Sequence, residues 1–504
     1  MLRTIRIDID EKHELYEYAE LACTQSKNMQ NTTNFYIRNL MTGLQKEEGK
    51  RFPLEKEVIE NVRKYIEINN KKVSKKTKEK KKQLEIPTKE NWKVNYEQLN
   101  AVFAIMNQRD YRETHSHIAQ NAIKMVVASW DSTKAALDDF KLHPEKYTGR
   151  PGIPKYKKGK TATAVFDSTN QHIEEDKETK KKYIKFSKLK DKEKNKKIEG
   201  KLVIGSYIER IEKIKEIKIT PYSGIYKVSI IYEDKGLEEI KIEESNLKKN
   251  KDLRVIGIDL GVNNFATITN NVGKNPIIIK GNFIKTRNQY YNKYKGIETS
   301  RLQKGEDPNT KHKNSKRLND LNLKRNRFFR DVFYKISHKI CRFASENRID
   351  LIIVGKNTNW KNSVNLGKQT NQNFVSIPYS EFITTLRFIG IKYEIPVITT
   401  EESYTSKASF LDLDKIPVYK KGEDPEVNFS GNRIKRGLYK SKEGKIINAD
   451  VNGSYNIIRK YLGDEVIDLK LVRYKKIRKI IFEEIYPQHL QQYRLENSRK
   501  KKIS

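Results

Sequence analysis

Cysteine is nearly missing from this chain: its 504 residues include only Cys23 and Cys341, far apart in sequence. That excludes a disulfide framework and any Cys-rich zinc ribbon, and it suits a reducing compartment. Long apolar runs are missing too, so no segment is expected to span a bilayer and no membrane partner is expected. The opening residues, MLRTIRIDIDEKHE, lack the apolar region of a secretory signal and read as a strand entering a helix. These absences point to a soluble, intracellular protein. Acidic residues are outnumbered, 65 against 103 Lys and Arg, and 103 − 65 leaves a net charge of +38 with a pI of about 9.7. Such a field attracts polyanions and repels further copies of itself, so nucleic acid is the expected partner and a monomer the expected state.

What is present can build cores. The hydrophobic fraction is 36% and the aromatic fraction 10%, and a chain of this length should divide into roughly two to four domains. Leu2 to Ile9 alternates as a strand, and the apolar spacing from Glu11 to Gln45 is helical. The Lys-rich stretch from Lys71 to Lys82 reads as exposed and mobile, or as a backbone-binding arm. Asn95 to Phe140 predicts two or three amphipathic helices, with His115 and His117 facing solvent or RNA. GRPGIPKYKKG, Gly149 to Gly159, marks a boundary. The β patterns beyond it (TATAVFD, KKYIKFS, LVIGSYI, IKEIKITPY, GIYKVSIIYED) predict a mostly antiparallel β-domain over residues 1–10 plus 150–247, with residues 11–149 as a helical insertion.

From Leu253 the pattern becomes α/β. LRVIGIDLG is a near-continuous apolar run, as in a central strand buried on both faces. NNFATITNN and NPIIIKGN follow as strands, and a basic helical region runs from Ile284 to Asn347. Its last part places Phe329, Val332, Phe333, Ile336, Ile340 and Phe343 on one stripe, with Arg325, Arg327, Arg330, Lys335, Lys339 and Arg342 over the rest, suited to phosphate contact. Strand IDLIIVG, helix Ser376–Glu394 and strand PVITTEE complete the pattern before INADVNGSYNIIRKYL. The stretch from Lys470 reads as a basic helix ending in the tail SRKKKIS.

The chemistry lies at the sheet's carboxyl edge. A strand ending Ile-Asp-Leu-Gly presents Asp259 there. Asp450 is expected as the first residue of a late helix, capping its free N–H groups and facing the same edge. Two carboxylates so placed suit Mg²⁺, which takes oxygen ligands. Two such ions about 4 Å apart can activate water and stabilise a leaving oxygen in phosphodiester cleavage.

GIDLGVNNFATI, GRPGIPKYK, the TSK after a strand, and DVNGSYNI together resemble TnpB, the transposon-encoded RNA-guided nuclease related to Fanzor proteins and miniature type V CRISPR effectors. The resemblance runs from Gly149 to about Leu462. It implies a bilobed α/β plus β protein: a β-barrel-like wedge domain with a helical recognition insertion, then an RNase-H-like (RuvC) domain over residues 248–504. It implies a guide RNA of the omega type, a double-stranded DNA target and two Mg²⁺, with Mn²⁺ able to substitute. A bacterial, nucleoid-associated setting follows, or a nuclear one for a Fanzor. Close alternatives are a nuclease-dead RNA-guided repressor and a miniature CRISPR effector.

Two departures from the family pattern stand out. The family's catalytic Glu ends the fourth RuvC strand, where this chain has Gly355 in LIIVGKN. Glu401 and Glu402 end the next strand, and some related proteins carry a relocated Glu just before Tyr-Thr-Ser, so Glu402 is the expected third ligand beside Asp259 and Asp450. The second departure is the family's four-cysteine zinc ribbon, whose position is the insert 405–445. Here Ala408 occupies a Cys position, and no zinc is expected. Arg433, Lys435, Arg436 and Lys440 of this insert suit contact with the target strand.

Overall fold

A computed structural model describes residues 2–76, 83–167, 171–191, 194–236, 250, 252–305, 314–356, 377–418, 427–435 and 437–487. The chain divides into two units, Met1–Gly236 and Leu237–Ser504.

In the first unit β1 (Leu2–Ile9) leads into α1 (Tyr16–Leu44), α2 (Pro53–Lys76), α3 (Tyr96–Ile105), α4 (Arg109–Glu113) and α5 (Ser116–Leu142). Six strands follow: β2 (Ala164–Asp167), β3 (Gln171–Glu175), β4 (Lys182–Asp191), β5 (Lys196–Val203), β6 (Ile211–Tyr222) and β7 (Ile225–Asp234). One antiparallel sheet has the order β1-β7-β6-β2, so the first strand pairs with the last, from Leu2↔Glu233 to Ile9↔Tyr226. A second sheet has the order β3-β4-β5. Alternation buries Ile217, Ile219, Val228 and Ile230 against Tyr18, Ala22 and Cys23 of α1. Farther along α1, Met29, Ile37 and Leu40 join a helical core with Val62, Phe103 and Trp130. One long helix thus serves two cores.

Several details differ from the sequence expectations. Lys71–Lys76 continues α2, whose Val58, Ile59, Val62 and Ile66 are buried; residues 77–82 lie outside the described residues. LVIGSYI is extended only to Val203, then tightens into a single 3₁₀ segment, Gly205–Arg210. His115 and His117 are half-buried rather than solvent-facing, with rings 5.7 Å apart and His117 Nδ1 3.8 Å from Asp167 Oδ2.

The second unit opens with β8 (Val255–Leu260), β9 (Asn264–Asn270) and β10 (Ile277–Lys280). Then come α6 (Asn282–Gln303), α7 (Lys316–Glu346), β11 (Leu351–Gly355), α8 (Tyr379–Lys392) and β12 (Val397–Thr400). A small sheet, β13 (Asn432–Lys435), β14 (Leu438–Lys440) and β15 (Ile446–Asn448), precedes α9 (Ala449–Leu462), β16 (Arg478–Ile480) and α10 (Phe482–Ile485). The main sheet has the order β12-β11-β8-β9-β10-β16. Its central strand β8 runs antiparallel to β9 and parallel to β11, and β12 continues parallel beyond β11.

Both faces are covered, which is why β8 is apolar almost throughout. Ile256, Ile258 and Leu260 pack with Phe329, Phe333 and Ile336 of α7 and Phe382 of α8. On the other face Val255, Leu351 and Ile353 meet Val451, Tyr455 and Ile458 of α9. Each such fully buried side chain contributes about 1.5–3 kcal/mol. Of the expected α7 stripe, only Phe343 remains half-buried; the other five residues are buried.

The expected basic helical region from Ile284 to Asn347 consists of two helices, α6 and α7. From Lys470 the described residues form no long helix, only β16, which pairs parallel with β10, and the one-turn α10. The SRKKKIS tail lies outside the described residues. No helix among the described residues is long and apolar enough to cross a membrane. Within the insert, Asp412 Oδ2 accepts from Ser409 Oγ (2.5 Å), Lys442 N (2.8 Å) and Ser430 Oγ (3.1 Å). Asp414 accepts from Ser409 N (2.7 Å) and Ser430 Oγ (2.6 Å), so two carboxylates knit its ends together.

Candidate active site

Along β8 the side chains of Val255 and Asp259 lie on the α9 face, with Gly257 between them. A Cβ at Gly257 would stand 2.5 Å from Ser454 O, so only glycine lets α9 lie this close. Ser454 Oγ fixes the contact, 2.9 Å from Gly257 O and 3.0 Å from Thr267 O. The first turn of α9 consequently rests on Asp259: a Cβ at Gly453 would lie 3.2 Å from Asp259 Oδ2.

Asp450 does not cap α9, contrary to the sequence expectation. The cap is Asn448, whose side chain accepts from Asp450 N (3.0 Å) and Val451 N (3.2 Å). Both residues are good N-caps by type. Asp450 is the second residue of the helix, and its Oδ2 accepts from Asn264 Nδ2 at 2.6 Å.

The two adjacent glutamates diverge. Strand pairing of β12 ends at Thr400, opposite Gly355, so both follow the strand rather than end it. Glu401 accepts from Lys460 and from Ser403 N (2.5 Å), and Lys460 Nζ also donates to Ser403 O (2.6 Å). Burial pushes the Glu401 carboxyl up, but Lys460 and Ser403 prevail and hold it below the usual carboxylate range. Glu402 turns instead to the space above Gly355, its Oε2 2.8 Å from where a Cβ would stand. The TSK loop that follows is tied to α9. Thr405 Oγ1 donates to Glu402 O (2.8 Å), Asn456 Nδ2 to Thr405 O (2.9 Å) and Asn452 Nδ2 to Ala408 O (2.8 Å).

Asp259 lies within electrostatic reach of both Glu402 and Asp450. Burial pushes the Asp259 carboxyl well above its ordinary range, the charges of Glu402 and then Asp450 add to this, and Arg433 opposes them. Asp259 nevertheless keeps partial exposure. Tyr379 borders the site, donating to Gly261 O (2.9 Å), and burial plus the charges of Asp259 and Glu402 push its phenol up. Thr267, cross-strand from Asp259, has a buried hydroxyl with no hydrogen-bond partner among the described residues.

An all-oxygen, mutually repelling set of carboxylates fits a hard divalent cation in its donor chemistry. It is not a closed cage: among the described residues no three His, Cys, Asp or Glu side chains converge to chelate one ion. Arg433 is exposed on β13 with Lys435, and Lys440 is exposed on β14; Arg436 lies outside the described residues. Sequence reasoning missed Asn264, Asn448, Lys460 and Tyr379. It also missed Asn452 and Asn456, whose spacing of four within DVNGSYN puts both amides on one helix face.

Residues 238–361 match the family OrfB_IS605, described as a probable transposase. No curated protein matches the chain. Among solved structures the chain is similar to a Cas12f1 protein in complex with sgRNA and target DNA, at 13% identity and a TM-score of 0.47, covering 88% of this chain and 82% of that one. It is also similar to C2c1 of Alicyclobacillus acidoterrestris in complex with single-guide RNA, at 10% identity and a TM-score of 0.37, covering 87% and 70%. The matched family segment holds β8 with Asp259 and runs through β11 to the glycine beneath Glu402, and over that segment the chain is similar to this transposase family.

Proposed function

We propose that this protein is the RNA-guided DNA endonuclease of a transposable element, with Asp259, Glu402 and Asp450 as the catalytic acids of a RuvC-type domain. The observation that carries this reading is the Glu402 carboxylate lying above Gly355 and bearing electrostatically on Asp259. The main sheet supports it. A central first strand, antiparallel to the second, with two later parallel strands on its other side, is the order of an RNase-H-like sheet.

In this reading Asp259, Glu402 and Asp450 hold two Mg²⁺, with Mn²⁺ able to replace them. Bound there, the ions would lower the pKa of the attacking water and stabilise the leaving oxygen. The protein's own residues prepare the ground. Asn264 orients Asp450, α9 presses the Asp259 carboxylate into place, and Lys460 holds Glu401 aside. Arg433 offers a guanidinium to the scissile strand's phosphates. Guide–target pairing supplies sequence specificity while the protein reads backbone shape and a short flanking motif. Residues 1–10 plus 150–247 and residues 11–149 would serve as wedge and recognition domains, and residues 248–504 as the nuclease.

The test is cleavage of a matched duplex by protein loaded with its copurified RNA. Asp259→Ala, Glu402→Ala and Asp450→Ala should each cut at under about 1% of the parental rate, a larger loss than the roughly 10–100-fold typical of an outer-shell partner. Each should bind target within about twofold of the parent, and Glu401→Ala should be milder. Parental cleavage by Glu402→Ala would remove it from the site. A parent that binds its target and never cuts would make the protein an RNA-guided repressor.

A further inference from the structure

We propose that α6 carries a stacking site for unpaired nucleobases, centred on Tyr290 and Tyr294. The helix is anchored along one side. Asn288, buried, accepts from Arg325 Nε and Nη2, both at 3.2 Å, and Tyr291 OH donates to Asn322 Oδ1 at 2.7 Å. Arg325 also lies over the Tyr291 ring at 4.9 Å. Glu298, likewise buried, takes Arg301 at 2.8 Å and Ser315 Oγ at 2.7 Å. Ile284, Asn288, Tyr291 and Glu298 fall on the face so held, at helical spacing.

Arg287, Tyr290, Lys293, Tyr294 and Ile297 fall on another face, at spacings of three and four. Tyr290 is 48% and Ile297 51% exposed. The Tyr290 and Tyr294 rings lie 4.4 Å apart and tilted by 44°, and Arg287 Cζ sits 5.7 Å from the Tyr290 centroid. Exposed Tyr290 and Ile297, with half-buried Tyr294 between them and Arg287 and Lys293 alongside, make an aromatic and basic face that marks an interaction surface.

Its charge selects the occupant. The only acid of α6 is Glu298, and its bonds to Arg301 and Ser315 hold its carboxyl down at about 2, so that charge is already engaged. Lys293 and Lys295 are exposed beside the tyrosines, and Arg287 is half-exposed. A second copy of a chain carrying +38 would meet like charge. An acidic peptide satisfies the cations but leaves the ring faces bare. An unpaired stretch of RNA or DNA satisfies both, since each base has a π-face and each phosphate a charge.

The experiment uses the full-length protein and a 12-nucleotide oligouridine bearing one 5-iodouridine, followed by photocrosslinking and fluorescence anisotropy at fixed salt. Crosslinks should map to Tyr290 or Tyr294. The Tyr290→Ala/Tyr294→Ala double variant should bind about tenfold more weakly, with the slope of affinity against salt unchanged because no charge is removed. Tyr290→Phe/Tyr294→Phe should restore affinity, which separates stacking from folding and from the hydroxyls. Crosslinks elsewhere, with unchanged affinity of the alanine variant, would overturn the site. So would loss of a concentration-dependent dimer in sedimentation, which would assign the stripe to a second copy. No cleavage is read, so failure here leaves the catalytic proposal standing, and the reverse.

Discussion

At the end of β11 the space above Gly355 is filled by neighbouring side chains: a Cβ there would lie 2.5 Å from Ile457 Cδ1 and 2.8 Å from Glu402 Oε2. The carboxylate at this spot comes from the residues after β12. Which of two adjacent glutamates turns inward depends on what restrains the other, and Lys460 makes that choice physical. Its ammonium is 93% shielded at the side chain (7% exposed) and serves both Glu401 and Ser403 O. Lys460→Met keeps the aliphatic stem and removes the charge, leaving Glu401 without its cation. Single-turnover cleavage should fall about 10–100-fold, as for loss of an outer-shell partner, while target binding stays within about twofold. Parental cleavage would show that the Lys460 tie does not position Glu402. From the sequence, alternation says only that the two acids point apart, and the resemblance to proteins with a relocated Glu before Tyr-Thr-Ser is what favours Glu402. Lys460 was not legible, because it sits 58 residues beyond Glu402 and nothing local marks the pair. Nor was Asn448 as the cap, since Asn448 and Asp450 stand two residues apart and are equally good capping types.

Among the elements, those whose period is long and regular were legible: β6, β7, β8, α1 and the stripe of α7 all follow from apolar spacing. The β16 strand was not, since three residues carry no period and its place beside β10 is set by packing. The first sheet also has a fastening that no pattern reveals. Asp234, at the end of β7, accepts from Arg3 of β1 (3.1 Å), from Arg210 ahead of β6 (3.3 Å) and from Gly236 N (3.0 Å). Its side chain is fully buried and that of Arg3 is 4% exposed. Burial pushes the Asp234 carboxyl up, but the Gly236 N–H and the two guanidinium groups outweigh it and hold it below the ordinary range. A carboxyl depressed on folding adds stability that is complete above its unfolded value, about 3.9. That stability is lost as pH falls through the depressed folded value. Asp234→Asn should therefore destabilise the first unit by about 3–5 kcal/mol near neutrality, the cost of breaking a buried pair. Its deficit in thermal melts should shrink only below about pH 4. A deficit that stays constant to the lowest pH reached would show that the carboxylate's charge contributes nothing.

For the whole molecule, composition spoke before any motif. The excess of 103 basic over 65 acidic residues gives +38, a surplus that internal ion pairs cannot reduce because each takes up one charge of either sign, and it falls in both units. Helices α6 and α7 carry it in one, and the Lys-rich surfaces of β4 and β5 in the other. Fold class was legible at this scale because the change from period-2 alternation to a doubly buried run at Leu253 is abrupt. A charge of this size makes a demand on solution behaviour that does not depend on the catalytic assignment. Each phosphate neutralised releases condensed counterions, so affinity falls linearly with salt on logarithmic axes. With about six to ten phosphates engaged, the RNA that copurifies with the protein should bind about 10³–10⁵-fold more weakly at 200 mM salt than at 50 mM. Asp259→Ala should keep the same slope, since it removes an acid from a site that the RNA need not touch. A shallow slope, of one or two phosphates, would mean that stacking and hydrogen bonding hold the RNA and that most of the positive surface faces another polyanion. A steep slope for RNA and a shallow one for duplex DNA would assign the basic surface to the guide, leaving base pairing to hold the target.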